Sequence, residues 1–192
     1  MSFSKNAYII QTDGAFDITL GALIDLWDIN SGKKYIPSKD EIQNALKYTG
    51  YKKILIDEQN GSVKLSQKGV LIDLGAVAKG YISQRVKEFL IERGVKSAII
   101  DFGGNIVLIG ENYKGQSFKV GLQKPFENRG EYLAVIASPY SAVVSSGNYE
   151  RYFKSENVIY HHIMDPKTGY PAQNGLSQVT IMCNDAADAD IL

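Results

Sequence analysis

The spacing of apolar residues changes character at Gly94, and no other feature of the chain restricts its fold as much. Before that point, apolar side chains recur every three or four positions, the pattern of amphipathic helices. In residues 16–27 they are Phe16, Leu20, Leu23, Ile24 and Trp27. In residues 76–93 they are Ala78, Ile82, Val86, Phe89 and Leu90, with Gly94 as the stop. A further helix is predicted after Pro37, where Ser38 and Glu41 stand at capping-box spacing ahead of Ile42, Ala45 and Leu46. Short β-like runs at 53–56, 63–65 and 70–72 separate these helices. After Gly94 the chain turns to runs at 97–100, 106–109, 117–121, 132–137, 142–145, 149–153, 158–163 and 176–182, with Gly, Asn and Pro between them. Helices first and a meander-like series of strands later predict an α+β fold rather than alternating βαβ units.

A chain of 192 residues makes one domain, with room for two lobes. Its 44% apolar and 22% charged residues suffice for a core without disulfide or zinc staples. The 21 basic and 21 acidic side chains cancel, which argues against a nucleic-acid or anionic-membrane binder, since those need a basic excess to displace counterions. Cys183 is the single cysteine, so no internal disulfide and no cysteine zinc site is available. No segment approaches the ~20 apolar residues of a membrane span, and residues 1–6 carry no apolar run of leader length.

Five polar clusters could carry chemistry. In Asp13-Gly-Ala-Phe-Asp-Ile-Thr19, Asp17 is placed to cap the following helix, and capping alone explains it equally well. Asp73-Leu-Gly-Ala-Val-Ala-Lys-Gly80 runs from a strand into the long helix. Free N–H groups there would suit an anion. Lys79 falls in the first turn, where the helix dipole disfavours a cation unless phosphate is near; a solvated lysine is the plain alternative. Asp101-Phe-Gly-Gly-Asn105 is either a close backbone approach to a ligand or a simple turn. Ser145-Ser-Gly-Asn-Tyr-Glu-Arg151 offers hydroxyl donors or a polar hairpin tip. His161-His-Ile-Met-Asp-Pro-Lys-Thr-Gly-Tyr-Pro171 holds the only two histidines, which point to opposite faces of a strand, so one of them at most faces a site.

In this order the segments GAFDIT, DLGAVAKGY, DFGGN, SSGNYER, HIMDPKTGYP and ADADIL resemble the ApbE-like family of FAD:protein FMN transferases, from about Thr12 to Leu192. The resemblance implies a T-fold-like α+β domain over residues 1–192. It implies magnesium-dependent transfer of FMN from FAD to a Ser or Thr hydroxyl of an acceptor protein, with release of AMP. Some relatives hydrolyse FAD to FMN and AMP instead, and a non-catalytic FAD-binding module is the alternative from another class. Carried over by position, Ala15, Phe16, Asp17, Asp73, Lys79, Gly104, Asn105, Ser146 and Ile163 are expected at the flavin dinucleotide. The Ala76 carbonyl and Asp190 are expected as magnesium ligands, and His162 as the base that takes the acceptor proton.

Two departures accompany the likeness. The family's threonine metal ligand, four residues after the position of Asp190, would fall beyond Leu192. The family's segment before GAFD, with its export signal and lipoprotein cysteine, has no counterpart here, so a longer parent protein, extracytoplasmic and lipid-anchored, is expected. The acids at the start of Asp185-Ala-Ala-Asp-Ala-Asp-Ile-Leu192 read as a helix N-terminus broken off after about two turns, which carries the same expectation.

Overall fold

The computed structural model describes residues 12–192; residues 1–6, in which no leader is read, lie outside that range. The chain divides into two compact units. One takes the described residues up to Leu74 together with Glu150–Gly175; the other takes Gly75–Tyr149 and Leu176–Leu192.

In the first unit, helices α1 (Gly21–Trp27) and α2 (Lys39–Leu46) pack together, with hairpins β1 (Ile54–Asp57)–β2 (Ser62–Leu65) and β8 (Tyr152–Ser155)–β9 (Val158–His161). The capping box on α2 forms as its sequence dictates: Ser38 Oγ accepts the Glu41 N–H, and the Glu41 carboxylate accepts the Ser38 N–H at 2.8 Å. The core holds Leu23, Trp27, Ile42 and Met164, backed by Leu46 and Tyr160. The Trp27 indole N–H donates to the Gly169 carbonyl at 2.8 Å, tying the 165–169 turn to this core. Truncating a buried tryptophan of this kind costs about 3–5 kcal/mol.

Three expectations fail here, because side chains or distant backbone outbid local pattern. The helix predicted over 16–27 begins only at Gly21, with Leu20 as an N-cap that makes no side-chain bond. Asp17 does not cap it; its Oδ1 accepts the N–H and hydroxyl of Thr19 and its Oδ2 accepts the Tyr51 N–H, holding 16–20 in turns. Residues 70–72 form no strand, because the Leu71 carbonyl is taken by the Gly21 N–H and the Asp73 N–H goes to the Ile18 carbonyl.

The second unit is built on a four-stranded antiparallel sheet in the order β10-β7-β4-β3, from Gln178–Cys183, Ala142–Gly147, Asn105–Ile109 and Ala98–Asp101. The strands of the second half therefore do not form one meander. The hairpin β5 (Lys119–Gln123)–β6 (Tyr132–Ala137) is a separate ribbon between β4 and β7 in sequence, and β8–β9 belongs to the first unit. Alternation along β4 and β7 sends Val107, Ala142 and Val144 to one face, against Ala186 and Ala189. Leu108 and Val143 go to the other face, against Val120 and Ile136. Helix α3 (Ala78–Glu92) and the short helix α4 (Ala186–Ile191) complete the unit. Among the described residues no helix is long and apolar enough to cross a membrane.

Candidate active site

The second unit gathers Lys79, Asn105 and Asp190 into one hydrogen-bonded chain. Lys79 Nζ donates to Asn105 Oδ1 at 2.7 Å, and Asn105 Nδ2 donates to Asp190 Oδ1 at 2.9 Å. Asn105 is fully buried. Its amide has only one orientation here, since an ammonium can only donate and a carboxylate can only accept. The second carboxylate oxygen, Asp190 Oδ2, accepts the Gly80 N–H at 2.8 Å. Helix α3 opens at Val77 without a side-chain cap. Asp190, 110 residues away in sequence, supplies one, meeting an N–H that the helix cannot satisfy itself. Lys79 is thus half-buried and bonded, not a solvated surface lysine.

Gly80 makes this approach possible. A Cβ there would lie 2.3 Å from the Ala186 carbonyl oxygen and 2.6 Å from Asp190 Cβ. Sequence reading passed over Gly80 as a site residue, although a glycine inside a strong helix costs about 1 kcal/mol and marks a close contact. Gly104, at φ +94°, turns the chain into β4; its carbonyl accepts the Ser145 N–H at 3.0 Å. Ser146 is exposed on β7, opposite Val179. Ala76 is exposed in the turn before α3.

The donors available to a cation are hard oxygens. Each Asp190 oxygen accepts a single bond, which leaves lone pairs on both. The Gly80 N–H goes to Asp190, so the Ala76 carbonyl is not drawn into the helix ladder. Among the described residues no three His, Cys, Asp or Glu side chains cluster as a metal site. A carboxylate and a carbonyl fit magnesium, which keeps waters and takes phosphate oxygens, and do not fit zinc.

The remaining candidates lie in the first unit. Ala15 is exposed and Phe16 half-buried, in a loop turned by bonds to the Thr12 carbonyl and hydroxyl. Asp17 is buried, with both oxygens on protein donors, and Asp73 is joined to this loop through Ile18. Thr19, unsuspected from sequence, is fully buried and accepts the Gly50 N–H at 2.6 Å.

The two histidines differ as strand alternation requires. His161 is buried; its Nε2 bonds the Ala172 carbonyl at 2.9 Å and its Nδ1 accepts the Ile163 N–H. Burial pushes its pKa below the ordinary 6.5, against the opposing pull of the Ala172 bond. His162 follows β9 and is half-buried, with Nδ1 at 3.2 Å from the Arg151 carbonyl. A carbonyl partner places the proton of the neutral ring on Nδ1, so Nε2 is the basic nitrogen. Ile163 is exposed beside it, and the turn Asp165–Gly169 is closed by its own first residue, the Asp165 carboxylate taking the Lys167 N–H and the Thr168 hydroxyl.

The ApbE family model matches residues 4–192. The chain belongs to the ApbE family. A FAD:protein FMN transferase of Klebsiella pneumoniae is 38% identical over 188 residues, covering 98% of this chain and 57% of that protein. One of Treponema pallidum is 32% identical, covering 95% and 54%. The crystal structure of the ApbE protein of Thermotoga maritima superposes with a TM-score of 0.87 at 40% identity, over 96% of this chain and 60% of that one. The flavin transferase ApbE of Vibrio cholerae gives 0.82 at 28% identity, over 96% and 58%. The α+β expectation therefore holds, and the chain spans a little over half the length of the curated relatives it matches.

Proposed function

We propose that this ApbE protein transfers the FMN part of FAD to a Ser or Thr hydroxyl of an acceptor protein and releases AMP. The observation that carries the proposal is the chain Lys79–Asn105–Asp190–Gly80, which puts an ammonium and an oxygen-donor carboxylate on one buried amide. Such a pair suits a diphosphate with its cation better than it suits an uncharged substrate. The names of the relatives support the same reading.

In the reaction the acceptor oxygen forms a bond to the phosphorus on the FMN side. The bond from that phosphorus to the bridging oxygen breaks, and AMP leaves with the electron pair. Lys79 binds phosphate oxygens as a point charge. Asn105 holds the lysine and the carboxylate in fixed register. Asp190 and the Ala76 carbonyl would hold magnesium, which when bound neutralises charge on the diphosphate and on the departing AMP. His162, with its proton on Nδ1, takes the hydroxyl proton at Nε2.

The test incubates the full-length protein with FAD, magnesium and an acceptor, and follows protein-bound FMN by mass spectrometry and AMP by chromatography. Transfer is expected only with all three components. AMP without any protein-bound FMN would replace the reading with FAD hydrolysis, and FAD binding with no AMP at all would reject catalysis. His162→Ala is expected to slow transfer about a hundredfold while leaving FAD affinity within about twofold, since a base acts in the transition state. An equal loss of binding and rate would remove it from that role.

A further inference from the structure

Asp190 lies on helix α4, just over one turn from the helix start. Its place is set by what grips it. Ala186 and Ala189 press it on the sheet, and apolar packing alone tolerates sliding along the helix axis. The polar grips come from one face of α3, at Gly80, Gln84 and Lys87, four and three residues apart. Gly80 bonds Asp190 itself. Gln84 Oε1 accepts the Ala186 N–H at 3.2 Å, and its amide is oriented by a bond from Nε2 to Glu88.

Lys87 reaches furthest. Its ammonium donates to the Asn184 carbonyl at 3.0 Å and to Ser141 Oγ at 2.6 Å, and the Ser141 hydroxyl donates to the same carbonyl at 2.8 Å. Both lone pairs of that carbonyl are thereby used. Asn184 immediately precedes Asp185, the N-cap of α4, whose carboxylate takes the Ala187 and Asp188 N–H groups. Burial pushes the Lys87 pKa below the ordinary lysine value, opposed by Asp185, Glu88 and Cys183. A methionine of the same length would fill the space but could donate to neither the Asn184 carbonyl nor Ser141 Oγ.

We propose that Lys87 is a positioning residue for Asp190: with Ser141 it clamps the Asn184 carbonyl, fixes where α4 begins along α3, and so sets the Asp190 carboxylate against Gly80 and Asn105. The inference rests on the reading of Asp190 as the carboxylate that holds a divalent cation.

The test uses the full-length protein with Mn²⁺ as the cation probe, its affinity read by electron paramagnetic resonance in the presence of FAD. Lys87→Met is expected to weaken Mn²⁺ binding about tenfold, as loss of a group supporting a metal ligand does, and Lys87→Arg to recover most of it. FAD affinity without metal should stay within about twofold, and AMP release should fall in kcat with KM for FAD unchanged. Ser141→Ala, a milder change, is expected to weaken Mn²⁺ binding about threefold. Mn²⁺ affinity unchanged in Lys87→Met, or an arginine variant no better than the methionine one, would overturn the clamp. Should Lys87→Met not fold, unchanged Mn²⁺ affinity in Ser141→Ala would overturn it instead. Weakened Mn²⁺ binding in a protein that releases no AMP would keep the clamp and reject the transferase reading, so the two fail separately. An unsubstituted protein that binds no Mn²⁺ would end both.

Discussion

Asp17 in one unit and Asp190 in the other both have hydrogen bonds at each oxygen, but the bonds come from different kinds of partner. Asp17 takes the Thr19 N–H and hydroxyl two residues on and the Tyr51 N–H; its donors are backbone and one neighbouring hydroxyl. Its effect is to shape a loop, and any contribution to flavin binding passes through the backbone it holds. Asp190 is reached from far along the chain, by a helix N–H and by an amide that also carries an ammonium. Backbone N–H groups and one hydroxyl around Asp17 fix a loop's conformation; around Asp190 a buried side-chain amide and an ammonium join the network, which is what the proposed charged ligand needs.

Four substitutions or conditions would break or sharpen that contrast. Asp190→Asn should cost the most, about 4 kcal/mol in transfer, roughly a thousandfold, because it removes a cation ligand. Its stability should fall as well, by about 1–3 kcal/mol, since the new amide NH₂ must face either the Gly80 N–H or the Asn105 amide; a loss of stability with intact Mn²⁺ binding would erase the contrast. Gly80→Ala should follow, at about 3 kcal/mol of stability together with weakened Mn²⁺ binding, because a methyl group cannot fit against the Ala186 carbonyl. Denaturant unfolding and the same titration would check it. Asp17→Ala should lose about 2 kcal/mol, leaving the buried Thr19 donors and the half-buried Tyr51 N–H without their acceptor, and the loss should appear in unfolding without a change in Mn²⁺ affinity. A Mn²⁺ defect there would show that the two carboxylates are not separable in kind.

The smallest effect concerns His161. Its folded pKa is depressed by burial, so below 6.5 the unfolded chain takes up a proton that the folded chain refuses. Stability therefore holds above that value and is lost as pH falls through the window down to the folded pKa. Melting temperature should decline as pH falls below about 6.5, the ordinary histidine value, and His161→Gln should flatten that part of the slope. A slope unchanged in the variant would mean that His161 is not the group responsible.

By itself, the sequence determined what neighbours along the chain decide. The Ser38–Glu41 capping box, the long helix stopping near Gly94, the 165–169 turn and the opposite facing of His161 and His162 all depend on groups within a few residues of each other. The order of the motifs along the chain also carries the family. Only the tertiary structure decided that residues 16–20 stay in turns, that 70–72 pair with no strand, and that the later strands divide between two units. It alone joined Lys79, Asn105, Gly80 and Asp190, across separations of 26, 85 and 110 residues. Helical and strand periodicities report which face of an element is apolar, but not which distant donor meets a carboxylate. That choice is made when the sheet and the two helices pack, and a missing Cβ at Gly80 is what allows it.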